Sequence, residues 1–238
     1  MLEAYGRTDV GRRRKLNEDN FLVDTDVNLF SVCDGMGGHN AGEVAAGLAV
    51  EAIRTFVNDE EQPSAGSLED AVRAANRNIL DTAARRPECA GMGTTVAAAL
   101  LTATGAILTS VGDSRIYRMR EGRLTQLTKD DSWIAKLLSE GVSLTQVEIE
   151  RHPMRHVLTD VVGTRPDLAP HAEEHAFEPG DTLMLCSDGL HGILRSDLIE
   201  ELLSADAPVP ALAETLVSTA VANGATDNVT VVVLRRST

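Results

Sequence analysis

Seven short apolar segments, separated by polar stretches, constrain the fold of this chain more than any other feature. They are NFLVDT, NLFSVCD, TTVAAALLT, GAILTSVGD, RIYRMR, TLMLCSD and NVTVVVLRR. Their length is typical of β-strands, and connections as short as DTDVN and TATG favour antiparallel hairpins over parallel crossovers. The sequence therefore predicts antiparallel sheets.

Three further segments have the apolar spacing of helices. The first covers residues 41–57 behind a capping arrangement of Asn40 and Glu43, the second begins near Ser67, and the third ends at Gly224. Antiparallel strands combined with amphipathic helices predict an α+β domain in which helices pack on sheets.

Aspartates stand at the ends of several predicted strands. Asp34, Asp113 and Asp188 each follow an apolar strand, and Asp227 comes just before the last one. For any one of them, ordinary turn chemistry is an open explanation, since Asp followed by Gly or Ser is common in turns. If the strand ends share one edge, however, the four carboxylates converge and repel one another unless cations intervene. An all-oxygen cluster of this kind favours magnesium, manganese or calcium.

A basic segment near the N-terminus offers a complementary charge. In GRRRKLNED, Arg14 lies four residues before the acidic pair Glu18 and Asp19. An arginine beside a metal cluster can bind a phosphate through two parallel hydrogen bonds, which lysine does less well. The alternative is a solvated basic turn, and this is our interpretation of the neighbouring cations.

Composition excludes several classes of function. With 36 acidic and 22 basic residues, the net charge of −14 repels nucleic-acid backbones, and 3% aromatic residues leave few platforms for base stacking. The apolar runs are too short to cross a bilayer, and no apolar segment follows the polar N-terminus, so we expect no membrane segment and no secretory signal. Three cysteines without C-x-x-C spacing argue against a disulfide framework and a cysteine zinc site. We therefore expect a cytoplasmic chain with no nucleic-acid partner.

Six motifs occur in order along the chain: RKLNED, DGMGGHNAGE, GMGTTVAAAL, VGDSRIY, LCSDGL and TDNVTVVV. Together they resemble the metal-dependent serine/threonine protein phosphatases, the type 2C or PPM family, in its compact bacterial form. The resemblance covers essentially the whole chain. It implies a four-layer α-β-β-α sandwich with two central antiparallel sheets, and one catalytic domain over residues 1–238. The charged interval at about 129–164, which we expect to be an irregular insertion between strands, would be the flap of that domain.

The resemblance also implies a set of metal ligands. Asp34 would bridge two ions, and the backbone carbonyl of Gly35 would bind one of them. Asp188 and Asp227 would complete this binuclear site. Asp113, together with Asp188, would form the third-metal site of bacterial members.

Further residues would act around the metals by the same resemblance. Glu18 and Asp19 would hold metal-bound waters, Arg14 would bind the substrate phosphate, and Asn228 would orient Asp227 or a water. The implied reaction is hydrolysis of phosphoserine and phosphothreonine by direct attack of a metal-bridging water, with two to three Mn²⁺ or Mg²⁺ ions per chain.

The implied partners are phosphoproteins and a serine/threonine kinase of the same cell, and the chain is expected to be a monomer. The alternative is a catalytically silent phosphoprotein-binding regulatory module on the same fold. Such a module would be expected to lose metal ligands, whereas all four aspartates are present in this chain.

Two positions depart from the family pattern. Met36 follows Asp-Gly where some members carry a histidine that has been assigned as the general acid, and His39 comes three residues later. His39 is our candidate general acid, with a structural role at the helix entry as the alternative. The flap opens with DDSW, where bacterial relatives often have Asp-His-Ser. This change, at Asp131 and Trp133, implies altered flap behaviour or substrate choice with the core reaction retained.

Overall fold

The structure is a computed structural model that describes residues 1–38 and 41–237, and the side chains discussed below exclude those of Gln146 and Glu150. The predicted capping residue Asn40 and the candidate general acid His39 lie outside the described residues. Within the described part of the chain, no helix is both long enough and apolar enough to pass through a membrane.

Two antiparallel sheets form the centre of the molecule. The first, which we call the β11 sheet, contains in spatial order β1 (Leu2–Asp9), β11 (Val229–Arg236), β10 (Thr182–Cys186), β7 (Arg115–Arg120) and β8 (Arg123–Gln126). The second, the β3 sheet, contains β2 (Asp19–Asp24), β3 (Leu29–Met36), β5 (Val96–Leu101), β6 (Gly105–Val111) and β9 (Ala172–Ala176), and the short β4 (Gly93–Thr94) also pairs with β3. All of these pairs are antiparallel, as the short connections predict.

The two sheets pack face to face because successive side chains along a strand point to opposite faces. Phe30 and Val32 of β3 contribute to a buried cluster that also contains Val232 and Leu234 of β11, so this cluster lies between the sheets. Val229, Val231 and Val233, on the opposite face of β11, belong to a separate cluster that they share with helices. Strands buried on both faces explain the nearly continuous apolar runs of the sequence.

Helices cover both outer faces. α1 (Ala41–Asn58) and α2 (Ala65–Arg85) share a buried cluster with the β3 sheet, whereas α5 (Asp188–His191), α6 (Ser196–Leu203) and α7 (Val209–Ala222) share one with the β11 sheet. The fold is therefore the predicted four-layer sandwich. α2 starts two residues before the predicted position, because Ser64 forms a capping box with Ser67. After α7, Gly224 adopts a φ of +96°, as expected of a residue that ends a helix.

The interval 129–164 is more regular than predicted. It contains the helices α3 (Trp133–Ser139) and α4 (Gln146–Arg151), each begun by a hydroxyl side chain that accepts a hydrogen bond from the first turn. The interpretation of this interval as irregular is thus wrong for these two segments.

Candidate active site

The aspartates at the ends of the strands lie at one edge of the sandwich. Asp19 at the start of β2 is the register partner of Asp34 near the end of β3. In the other sheet, the end of β10 pairs with the start of β11, which brings Asp188 and Asp227 to the same side. Antiparallel pairing therefore places residues that are far apart in sequence at a common edge.

The carboxylates at this edge interact strongly. Burial raises the pKa of Asp34 well above its ordinary value, and the charges of Asp19, Asp188, Asp113 and Asp227 raise it further. Burial and then the charge of Asp227 raise the pKa of Asp188 as well. The structure thus brings together all four aspartates that the strand pattern singles out, with Asp19 as a fifth. We call the edge of the sandwich that carries these five residues the acidic edge.

The acidic cluster fits divalent cations by the chemistry of its donors. Burial, followed by the charge of Asp188, raises the pKa of Asp113 to about 7. Oδ1 of Asp188 and Oδ1 of Asp19 are buried and have no hydrogen-bond partner among the described residues, an expensive state for a carboxylate oxygen unless a cation satisfies it. Among the described residues, no three acidic, histidine or cysteine side chains yet have the arrangement of a formed metal site. The structure therefore shows converging oxygen donors, and the individual ligand roles stay predictions.

Gly35 occupies a position at which the backbone itself is tightly packed. A Cβ atom added there would lie 2.1 Å from the carbonyl oxygen of Gly42 and 2.5 Å from that of Glu18. A Cβ on Gly42 would in turn lie 2.7 Å from the Gly35 oxygen. Only glycines therefore allow β3, the start of α1 and Glu18 to approach one another. Gly42 was not identified from the sequence, since nothing in its spacing distinguishes it from other helical glycines.

Hydroxyl groups fix the backbone that carries Asp34. The Asp34 N–H donates to Thr95 Oγ1 at 2.9 Å, and Thr94 Oγ1 donates to the Asp34 carbonyl at 2.9 Å. Thr95 Oγ1 also lies 2.7 Å from Ser114 Oγ, directly after Asp113. The backbone of Thr94 also donates a hydrogen bond to Val162 and accepts one from it. These two bonds connect the end of the 129–164 interval to β4.

Arg14 contacts the acidic edge, as its spacing suggests. Its Nη2 donates to Asp227 Oδ2 at 2.8 Å, and its Nη1 lies 3.5 Å from Glu18 Oε2, while about half of the side chain remains exposed. The hydrogen bond to Asp227 raises the pKa of Arg14, which stays charged. Its predicted contact with a substrate phosphate stays a prediction.

The side chain of Asn228 binds three backbone groups near Arg14, and its predicted role in orienting Asp227 or a water stays a prediction. Its side chain accepts from the Glu18 N–H at 2.8 Å and donates to the carbonyls of Val10 and Leu16 at 3.0 and 2.9 Å. Only its backbone N–H contacts Asp227, at 2.8 Å from Oδ1. The buried amide therefore holds the segment that carries Arg14 and Glu18.

The turn at Asp113 is held by two residues that sequence reasoning did not assign to the site. His191 Nε2 lies 3.0 Å from the Asp113 carbonyl oxygen, and burial lowers the pKa of this histidine to about 4, so it is neutral at pH 7. Asp131 accepts from the Gly112 N–H at 3.1 Å and donates its own N–H to the Gly112 carbonyl at 2.7 Å. The first residues of the 129–164 interval are thereby fixed beside Asp113.

Comparison with known proteins accounts for this combination of fold and acidic edge. The family model described as Protein phosphatase 2C matches residues 10–230. This chain belongs to that family. The family prediction is therefore confirmed.

Individual relatives agree with this assignment. The serine/threonine protein phosphatase PstP of Mycobacterium tuberculosis is 37% identical over 239 residues, which cover 98% of this chain but only 45% of PstP. The chain thus spans less than half of that relative. The serine/threonine phosphatase stp of Listeria monocytogenes is 32% identical over 99% of this chain and 96% of its own length.

A solved structure of the PstP catalytic domain in complex with two manganese ions superposes on this chain with a TM-score of 0.90. The sequences are 35% identical, and the superposition covers 100% of this chain and 99% of that one. The predicted two-sheet architecture is therefore confirmed by a relative as well as by the strand pairing.

Proposed function

We propose that this protein is a metal-dependent phosphatase that hydrolyses phosphoserine and phosphothreonine in proteins. The observation that carries the proposal is the convergence of Asp34, Asp113, Asp188 and Asp227 at one sheet edge, where a buried Asp188 oxygen has no hydrogen-bond partner within residues 1–38 and 41–237. The two manganese ions in a solved relative support the choice of cation.

Different residues of the acidic edge would ligate different metal ions. Asp34, the Gly35 carbonyl, Asp188 and Asp227 would ligate two ions, and Asp113 with Asp188 would ligate a third. Bound Mn²⁺ or Mg²⁺ would supply positive charge and the acidified, oriented water that attacks phosphorus directly. Cations would also offset the burial and the mutual repulsion that together raise the pKa of Asp34 and Asp188.

The side chains around the acidic edge would bind and orient the reacting groups. Arg14 would grip two phosphate oxygens with its guanidinium group and would then exchange part of its contact with Asp227 for the substrate. Its half-exposed position and fixed backbone suit that exchange. Glu18 and Asp19 would accept hydrogen bonds from water at the same edge, which orients the attacking oxygen.

Protonation of the leaving serine or threonine oxygen requires a general acid. His39 is the candidate from the sequence. If His39 is the acid, His39→Ala should slow hydrolysis of an alkyl phosphate much more than that of p-nitrophenyl phosphate, whose leaving group needs little protonation. Equal losses on both substrates would contradict this role.

The proposed partners are phosphoproteins, and a serine/threonine kinase of the same cell is the proposed source of those substrates. We further propose that the chain acts as a monomer in the cytoplasm and does not bind nucleic acid, in keeping with its net charge of −14.

The proposal is tested by hydrolysis of p-nitrophenyl phosphate and of a phosphothreonine peptide, with and without Mn²⁺. We expect metal-dependent turnover by the wild type and a loss of at least about 100-fold in Asp34→Asn, since losses around a metal site reach this size even for indirect contacts. Asp206→Asn, a change of an exposed aspartate outside the acidic edge, is the matched control. Equal, metal-independent rates in all three proteins would refute the proposal. Tight phosphopeptide binding without turnover would favour the silent regulatory module.

A further inference from the structure

The buried carboxylate of Asp19 is held by hydroxyl groups of the opposite sheet. Asp19 begins β2 in the β3 sheet, and its Oδ2 accepts from Ser187 Oγ at 2.8 Å and from Thr230 Oγ1 at 2.6 Å. Ser187 immediately precedes Asp188, and Thr230 lies three residues after Asp227. Ser187 and Thr230 are fully buried, and Asp19 is 9% exposed. We call this arrangement the Asp19 clasp.

The hydrogen-bond directions within the Asp19 clasp follow from counting protons. Each hydroxyl has a single proton to donate, and a carboxylate can only accept. Ser187 and Thr230 therefore both donate to Asp19. Thr8 Oγ1, 2.7 Å from Thr230 Oγ1, must then donate to it, and Thr8 in turn accepts from Asn17 Nδ2 at 2.7 Å. The chain of donors therefore runs one way and ends on the carboxylate, an arrangement in which successive hydrogen bonds strengthen one another.

Backbone contacts make the two hydroxyl donors a single unit. The Thr230 N–H donates to Ser187 Oγ at 3.1 Å, and the Ser187 N–H donates to the Thr230 carbonyl at 3.1 Å. These two hydrogen bonds connect the end of β10 to the start of β11, and both hydroxyl groups in addition donate to Asp19.

The Asp19 clasp matters because the acidic edge is divided between the two sheets. Asp19 and its register partner Asp34 belong to the β3 sheet, whereas Asp188 and Asp227 flank strands of the β11 sheet. The apolar side chains between the sheets hold them together without a strong directional preference. Short hydrogen bonds to a charged group are directional, and these two lie one and three residues from the aspartates of the second sheet.

We propose that Ser187 and Thr230 are positioning residues of the metal site, which set the distance between Asp34 on one sheet and Asp188 and Asp227 on the other by way of Asp19. The inference rests on the proposed function, since it assumes that these aspartates ligate metal. Neither hydroxyl touches the reacting atoms; both act through the carboxylate that they hold.

The test measures Mn²⁺ binding to the metal-free protein by isothermal titration calorimetry, with the thermal midpoint recorded in parallel. The variants are Ser187→Ala, the isosteric Thr230→Val, and Thr230→Ser, which keeps the hydroxyl. Thr109→Val is the matched control, because it also removes a buried threonine hydroxyl bond, here to the His171 carbonyl at 2.8 Å.

We expect Ser187→Ala and Thr230→Val each to weaken Mn²⁺ binding by about 10–100-fold, the usual cost of losing a group that orients a metal ligand. Thr230→Ser should bind close to wild type, and Thr109→Val should lower the thermal midpoint without changing the affinity for Mn²⁺.

Unchanged Mn²⁺ affinity in Ser187→Ala and Thr230→Val, with a fall in thermal midpoint like that of the control, would overturn the inference and leave the hydroxyls a purely structural role. Should Thr230→Val fail to fold by circular dichroism, Ser187→Ala carries the test alone. Failure of the wild type itself to bind Mn²⁺ or to hydrolyse p-nitrophenyl phosphate would instead overturn the proposed function, and the metal role of the Asp19 clasp with it.

Discussion

Replacement of Asn228 tests how the loop that carries Arg14 and Glu18 is held at the acidic edge. The Asn228 side chain is 4% exposed, and its three hydrogen bonds join the start of β11 to Val10, Leu16 and Glu18. Asn228→Ala removes all three and leaves two carbonyls and one N–H without that partner. Asn228→Asp keeps the acceptor for the Glu18 N–H but turns an oxygen towards both carbonyls.

The magnitude follows from these three hydrogen bonds. A buried neutral hydrogen bond contributes about 1 kcal/mol net, so Asn228→Ala should lower the free energy of unfolding by about 3 kcal/mol. For a domain of this size that corresponds to a fall of about 6–12 °C in the thermal midpoint. Asn228→Asp should lose at least as much, since two donors become repulsive acceptors.

Loss of the three Asn228 hydrogen bonds should also lower the activity of the variant while it is still folded. With the loop released, Arg14 and Glu18 are no longer held beside Asp227, and we expect kcat/KM to fall by about 10–100-fold at a temperature where the variant is folded. The assays are differential scanning calorimetry and hydrolysis of a phosphothreonine peptide. Asn223→Ala, which removes one exposed hydrogen bond to the Thr219 carbonyl, is the control. A variant at position 228 that matches this control in both assays would refute the proposed anchoring.

Three further predictions concern Gly35, Asp181 and Arg14. Gly35→Ala should abolish activity and destabilise the fold, because the added Cβ would lie 2.1 Å from a backbone oxygen; unchanged Mn²⁺ binding and thermal midpoint would contradict this. Burial raises the pKa of Asp181, but hydrogen bonds from Arg120 and the Glu178 N–H lower it by more, so the net pKa lies below 3.8. The stabilisation that comes from this lowered pKa is therefore present at pH 7 and lost as the pH falls below about 4, which urea unfolding of wild type and Asp181→Asn at several pH values measures. Arg14→Lys should raise KM for a phosphopeptide while leaving the thermal midpoint within about 1 °C of wild type, since exposed ion pairs contribute little to stability; an unchanged KM would remove phosphate binding from the role of Arg14.

Much of the fold was predictable from the sequence because its signals are local. Apolar runs of strand length with short connections gave antiparallel sheets, and helical spacing placed α1, α2 and α7 to within a few residues. β1 was missed because LEAYGRTD is largely polar or half-buried, as befits an edge strand with one partner. β9, with the sequence AEEHA, is an edge strand of the same kind.

The site was predictable only in part. The aspartates stood out because each lies beside an apolar strand, and the family motifs gave them roles. The two residues that hold Asp19 did not stand out, because Thr230 is 211 residues from Asp19 and Ser187 is 168 residues from it. A hydroxyl that reaches a carboxylate across two sheets leaves no local pattern in the chain.

The two explanations left open for the strand-end aspartates, turn chemistry and a shared site, differ in what their carboxylates should contact. An aspartate that shapes a turn accepts hydrogen bonds from backbone N–H groups just ahead of it, and Asp24 does so with Asp26 and Val27, as Asp9 does with Gly11. Asp227 likewise accepts from the N–H of Asn228 at 2.8 Å, so turn chemistry contributes at that position. In the described part of the chain, however, the side chains of Asp34 and Asp188 make no such contact with a backbone N–H. Asp34 instead lies inside a strand opposite Asp19, and one buried oxygen of Asp188 has no hydrogen-bond partner in the part of the chain that the structure describes. Carboxylates that leave local hydrogen bonds unmade and face one another raise the free energy of the folded chain. Turn chemistry does not account for that cost, whereas the proposed cation site would.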